Sequence, residues 1–172
     1  MTDIPVIETA RLRLRPHELA DLDAYSAMWA DPDVVRFIGG QPLSREMSWT
    51  RLLRYRGMWA VMGFGFWAIE DRATGAFLGE AGIQESRREL TPAIEGTLET
   101  GWGLIPEAQG KGLASEAVGA VIGWAGTAMP ERPMTCLINP ENTGSIRIAE
   151  KFGFRERARA IYHGAPIIIF GR

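Results

Sequence analysis

The residues of this chain best suited to chemistry form one short run, Gln109-Gly110-Lys111-Gly112-Leu113-Ala114. It follows a strand-like segment and opens an apolar, helical one. A glycine-rich turn leaves backbone N–H groups unobstructed, and at a helix N-terminus those donors have no intrahelical acceptor. With the positive end of the helix dipole they form a seat for a phosphate or pyrophosphate. The Lys111 side chain reads as solvated, so its backbone N–H is the expected contact. The run predicts a phosphorylated ligand.

Two nucleotide readings fit poorly. A nucleoside-triphosphate loop, G-x-x-x-x-G-K-[ST], would need glycine at Ile105 and a hydroxyl at Gly112. A dinucleotide loop, G-x-G-x-x-G/A, accepts Gly110 and Gly112 but fails at Ser115, and Glu131 is a poor match for its acid about twenty residues on. Asn142 and Ser145 stand where side chains cap a helix N-terminus. His17 and His163 lack metal-like partner spacing, so no metal is expected. The lone cysteine, Cys136, reads as a strand or core residue and permits no internal disulfide.

The elements that must position these residues follow from period and punctuation. Arg11–Arg15 alternates arginine with leucine and predicts a strand with one wet face. Leu19, Leu22, Tyr25 and Trp29 predict a helix ended by Pro32. A second helix follows Ser44, with Trp49, Leu52 and Leu53 on one face and Gly57 near its end. Segments 64–70 and 76–84 flank the turn cluster Asp71-Arg72-Ala73-Thr74-Gly75, a hairpin. The polar stretch 85–96 reads as a connection or an irregular extension of these strands. A strand at 97–105 precedes the glycine-rich run, and the helix after it carries Ala117, Val118, Val121, Ile122 and Ala125 as an apolar stripe. Then come a strand at 134–138, a helix at 143–152 stopped by Gly153, and strands at 154–160 and 166–170 around His163-Gly164. The order β-α-α-β-β-β-α-β-α-β-β predicts an α+β fold in three layers (α/β/α): a mixed, mostly antiparallel sheet of about seven strands with helices on both faces.

Composition narrows the class. The 172 residues are 46% hydrophobic and 23% charged, ordinary for one globular domain, here 1–172. The formal charge of −2 and pI near 5.8 supply no attraction for nucleic acid or an anionic membrane. No signal peptide or membrane span is visible, and the expected location is cytoplasmic.

A second pattern, Asn139-Pro140-Glu141-Asn142, Ser145, Arg147 and Glu150-Lys151-Phe152-Gly153-Phe154, lies about thirty residues beyond the glycine-rich run. Together the two resemble the GNAT superfamily of N-acetyltransferases, whose acetyl-CoA pyrophosphate loop reads Q-x-x-G-x-A. Glu8-Thr9-Ala10-Arg11-Leu12-Arg13-Leu14-Arg15 and Trp67-Ala68-Ile69 are similar to the branch of RimJ/RimL-type ribosomal-protein N-terminal acetyltransferases. The resemblance spans residues 11–170. It implies that the central sheet splays between the 97–105 and 134–138 strands, and that acetyl-CoA adds to the exposed edge as a peptide would.

On that resemblance the cofactor contacts are Gly103, Leu104, Ile105, Gln109, Gly110, Lys111, Gly112, Leu113, Ala114 and Ser115, with Asn142 against the pantetheine arm and Ser145 near the thiol. Gly101 and Gly103 suit a bulge or a close backbone approach, and an N–H near Leu104 would polarise the thioester carbonyl. Many family members use a tyrosine as general acid where this chain has Ala149, which leaves Ser145 or a water. Glu99 is the candidate base, the alternative being a charge on a solvated strand face; Glu80 and Glu95 are weaker candidates. The first two helices and their connection are expected to wall the acceptor site. Most of Trp29, Phe37, Ile38, Trp49, Tyr55, Trp59 and Phe66 read as core, with one or two lining the pocket. The Val34–Pro42 connection, with Gly39-Gly40, is the expected mobile rim. The resemblance implies acetyl transfer to a primary amine, on a small molecule or a protein N-terminus. The alternative is a CoA-binding module without catalysis. The terminal strand 166–170 is a candidate for pairing across a homodimer.

Overall fold

A computed structural model describes residues 3–172. Eight strands form one sheet: β1 (Ile7–Glu8), β2 (Leu12–Arg15), β3 (Phe66–Asp71), β4 (Phe77–Gln84), β5 (Leu98–Leu104), β6 (Met134–Ile138), β7 (Arg155–Tyr162) and β8 (Ala165–Gly171). Their spatial order is β1-β2-β3-β4-β5-β6-β8-β7. Every neighbouring pair is antiparallel except β5 and β6, which run parallel and pair only at Leu98–Met134 and Glu99–Thr135. Beyond those two positions the sheet opens, so the expected mid-sheet splay is present. The extra strand relative to the sequence reading is β1, two residues long.

Helices cover both faces. On one lie α4 (Leu113–Ala128) and α5 (Thr143–Lys151); on the other, α1 (Leu22–Ala30), α2 (Pro32–Val35) and most of α3 (Arg45–Met62). The stripe Ala117, Val118, Val121, Ile122 and Ala125 is buried throughout, packed over Leu12, Leu14, Ile69, Ala81 and Ile83. The opposite layer is aromatic, with Tyr25, Trp29, Tyr55 and Phe66 in one cluster. The end of α3 joins the two layers: Trp59 meets Trp67 and Trp124 at centroid distances of 4.7 and 5.5 Å.

Several local expectations need correction. Pro32 does not simply end the first helix; it occupies the first turn of α2, where its missing N–H costs nothing, and Asp31 caps that turn. Gly57 lies inside α3, which runs on to a left-handed cap at Gly63 (φ +74°) because the apolar stripe continues to Trp59. That stripe is Leu52, Tyr55 and Trp59, whereas Trp49 and Leu53 point to solvent. The wet face of β2 is wet only at Arg13, since Arg15 is buried against Asp21, which takes two of its N–H groups at 2.8 Å each.

The β5 glycines sit in regular strand. The register shifts are opposite Ile69/Glu70, where Leu78 of β4 is the extra residue, and in β7 between Glu156 and Ala158. Backbones approach closely at Gly79 (φ +150°), where any Cβ would lie 2.2 Å from the Gly103 carbonyl, and at Gly82, where it would lie 2.4 Å from Phe66 Cα. Residues 85–96 form a connection, not a strand extension, and Leu90 and Ile94 cover Ile169. The terminal strand β8 is paired on both sides, by β6 and β7, so its backbone cannot pair across a dimer. The exposed sheet edges are β1 and β7.

Candidate active site

The glycine-rich run forms the corner between β5 and α4. After β5 a 3-10 turn, Pro106–Ala108, reverses the chain, and Gln109 Nε2 closes it by donating to the Leu104 carbonyl at 3.1 Å. Gly110 and Gly112 have φ of +71° and +76°, the left-handed region where a side chain is strained, and space around Gly110 is open. Neither a backbone nor a side-chain acceptor among the described residues takes the amides of Gly110, Lys111, Gly112, Leu113, Ala114 or Ser115. The 16-residue α4 therefore starts with its donors bare.

That corner is braced by Thr9 and Arg11, which the sequence marks only as strand and motif residues, and by Glu116, which it does not mark. Arg11 Nη1 donates to the Lys111 carbonyl at 2.9 Å. Glu116, in the first turn of α4, accepts from Arg11 Nε at 2.7 Å, from the Arg11 amide at 2.9 Å and from the Thr9 hydroxyl at 2.6 Å. Burial works against the Glu116 carboxylate, but these donors outweigh it and hold its pKa below the usual range. The Ser115 hydroxyl accepts from Lys151 Nζ at 2.7 Å and ties α4 to α5, so its backbone, not its side chain, faces the corner free.

Register shows which β5 amides face the opening. Ile105 donates to Leu78, and in the antiparallel alternation residues 103, 101 and 99 also bond toward β4. Trp102 and Leu104 then direct their N–H groups toward β6, past the point where β6 pairing stops. The Leu104 side chain is core and Ile105 packs into the aromatic layer, so contact there would be through backbone.

A cleft of about 620 Å³ lies before this opening. One wall is Trp29, Phe37, Gly39-Gly40 and the α3 arginines; the facing wall is the β7–β8 turn with Tyr162 and His163. Glu99, Asn142 and Ser145 all reach it. Asn142 caps α5, its Oδ1 accepting the Ser145 amide at 3.1 Å. Of the seven aromatic-region candidates, Trp29, Phe37, Ile38, Tyr55 and Phe66 line the cleft, Trp59 is core and Trp49 is exposed.

The two carboxylates of the floor share one face, from neighbouring strands. Glu99 is neither solvated nor bare. Arg88 grips it with Nε and Nη2, each at 2.6 Å, Gln84 Nε2 adds a bond at 3.0 Å, and Arg88 also donates to the Tyr162 hydroxyl at 3.1 Å. Burial opposes the charge on Arg88, but Glu99 outweighs it and keeps the guanidinium protonated.

Glu80 is 1% exposed; its Oε1 accepts from Tyr55 and Arg51 at 3.2 Å each. Its Oε2 lies 3.6 Å from His17 Nε2, too far for a hydrogen bond, and neither atom has another partner among the described residues. Burial pushes the His17 pKa down, only partly offset by Glu80 and Asp21, so the ring is held neutral. Arg51 and Tyr55 could have been found as an i, i+4 pair on α3; Arg88 lacked any periodic signal.

Comparison with known proteins agrees with this fold. Residues 11–155 match the family model described as an acetyltransferase (GNAT) domain. The chain is 30% identical over 169 residues to the uncharacterized protein YkkB of Bacillus subtilis, covering 95% of this chain and 93% of that protein. It superposes on a Bordetella pertussis chain with a TM-score of 0.88 at 32% identity, over 98% and 99% of the two chains. The fold alone, at 15% identity and a TM-score of 0.79 over 98% and 97% of the chains, is shared with RimL, the ribosomal L7/L12 alpha-N-protein acetyltransferase, in complex with coenzyme A.

Proposed function

This chain belongs to the GNAT family and is an acetyl-CoA-dependent acetyltransferase, and from that premise we propose that it acetylates a primary amine held in the cleft beside β5. The observation that carries the reading is continuous: bare amides at Trp102 and Leu104 lead along an unpaired strand edge to the bare amides of Gly110–Ser115. Acetyl-CoA supplies the activated acyl group. The corner amides bind its pyrophosphate, and the strand edge takes its arm by backbone hydrogen bonds.

In the reaction the amine nitrogen forms a bond to the thioester carbon, the C–S bond breaks, and sulfur leaves as a thiol. An N–H of β5 stabilises the oxyanion between those events. The nitrogen gives up one proton as the amide forms. Ser145, half-buried at the start of α5, or a water beside it relays a proton to the departing sulfur, so that the proton lost by nitrogen balances the one gained by the thiol. Ala149, at the position where the family resemblance implies a tyrosine, is fully buried and offers no proton. An α-amine, titrating near pH 8 against about 10.4 for lysine, is roughly 10% nucleophilic at neutral pH, which suits a site without a free base at Glu99.

Calorimetry with acetyl-CoA on wild type and Gly112→Glu tests the site. Glutamate at 112 brings negative charge to the corner and strains a positive φ. The expected result is selective binding of acetyl-CoA over ATP and NAD by wild type and at least a tenfold loss in the variant. Wild type that ignores acetyl-CoA would reduce the corner to a structural turn. Wild type that binds acetyl-CoA but releases no CoA with any amine would be a CoA-binding module.

A further inference from the structure

Four arginines and two glutamates line the cleft: Arg36, Arg51, Arg54, Arg88, Glu80 and Glu99. Both glutamates are already paired, Glu80 with Arg51 at 3.2 Å and Glu99 with Arg88 at 2.6 Å. The remaining two arginines, Arg36 and Arg54, have no carboxylate within ion-pair distance among the described residues. Each instead rests on an aromatic ring, Arg36 over Phe37 at 5.0 Å and Arg54 over Tyr55 at 5.1 Å. A chain with a formal charge of −2 thus concentrates surplus positive charge at the cleft.

Arg51 is also prepared for an anion. Its guanidinium lies 3.9 Å from the Trp29 ring centroid, its Nε donates to the Tyr55 hydroxyl at 3.1 Å, and its Nη2 donates to Glu80. The third nitrogen, Nη1, has no acceptor among the described residues. A fork held on three sides loses little freedom when a carboxylate takes its open end.

We propose that the acceptor is an anionic amine, a primary amine that also carries a carboxylate, received by Arg51 and Arg54 with Arg36 at the rim. This rests on the acetyl-transfer reading and adds the acceptor's charge class. The two unpaired arginines are expected to disfavour polycationic amines, because a polycation finds no unpaired carboxylate in the cleft and two uncompensated positive charges. The pyrophosphate of acetyl-CoA has its own donors in the Gly110–Ser115 amides, which leaves the arginines of the α1–α3 side to the acceptor.

The test uses matched α-amines, the tripeptide amides Ser-Glu-Ala and Ser-Gln-Ala, with spermidine as the polycation. CoA release is followed on wild type and Arg54→Glu, with acetyl-CoA affinity measured alongside. Wild type should favour the glutamate peptide over its glutamine twin by about tenfold in kcat/KM, a margin that shrinks as salt is added. Arg54→Glu should erase or invert that preference through KM, with acetyl-CoA affinity unchanged within about twofold. Arg36→Glu should act in the same direction more weakly, its side chain being at the rim.

Preference for the glutamine peptide or spermidine overturns the proposal while leaving acetyl transfer intact. A loss of acetyl-CoA affinity in Arg54→Glu, with acceptor preference unmoved, overturns it too, by assigning the surplus charge to the cofactor's phosphates. If acetyl-CoA binds and no amine is acetylated, the underlying reading fails, and this one with it.

Discussion

At the scale of single residues, the decisive contrast is between two glutamates of one sheet face. Glu99 spends both oxygens on Arg88 and Gln84, whereas Glu80 Oε2 has no hydrogen-bond partner among the described residues and lies beside a neutral, fully buried His17. The imidazole packs between Tyr25 and Tyr55, at centroid distances of 5.2 and 5.9 Å. Its folded-state pKa lies below the ordinary 6.5, so below that pH the unfolded chain binds a proton that the folded one refuses. This contribution to stability is complete above pH 6.5 and is lost as pH falls through that value. Melting temperature measured from pH 8 to pH 5 should therefore drop more steeply in wild type than in His17→Leu. Parallel curves for the two proteins would show that another group governs the acid limb.

At the scale of elements, the start of α4 is held by a strand distant in sequence. Thr9 and Arg11, flanking β1 and β2, converge on Glu116, and Arg11 passes the constraint to the Lys111 carbonyl. Glu116 is also well placed for the helix dipole, being an acid in the first turn. Its removal should free Arg11 and let the corner wander without unfolding the protein. Glu116→Ala is expected to weaken acetyl-CoA binding about tenfold while KM for the amine stays within about twofold, read by calorimetry and steady-state kinetics. An unchanged acetyl-CoA affinity would mean that the glycines alone shape the corner.

At the scale of the whole molecule, the sheet is one body whose two helical layers meet at the Trp59, Trp67 and Trp124 rings. Trp59 also donates from Nε1 to the Phe66 carbonyl at 3.0 Å, anchoring the end of α3 to the start of β3. Truncating it opens a large cavity and strands that carbonyl. Trp59→Ala should lose about 3–5 kcal/mol in urea unfolding. A loss below about 1 kcal/mol would show that the layers hold without it. Activity should fall as well, because α3 carries the cleft residues Arg51, Arg54 and Tyr55.

The amino-acid sequence by itself determined what local periodicity and punctuation encode. The order of elements, the α4 stripe, the Gly110/Gly112 corner and the Asn142 cap were legible because each rests on neighbours within a turn or two of chain. Two motifs about thirty residues apart also sufficed to indicate the family. What tertiary structure alone decided is where chain segments far apart in sequence meet. Arg88, in an irregular connection, finds Glu99 and Tyr162; Arg51, on a helix, finds Glu80 on a strand; and Thr9 and Arg11 find Glu116 more than a hundred residues away. The state of a carboxylate depends on which donors surround it, and those donors come from other elements. Likewise, whether β8 is an edge depends on sheet order, and β7 folds back outside it. No residue period records either fact, since both are properties of contacts made only once the sheet is assembled.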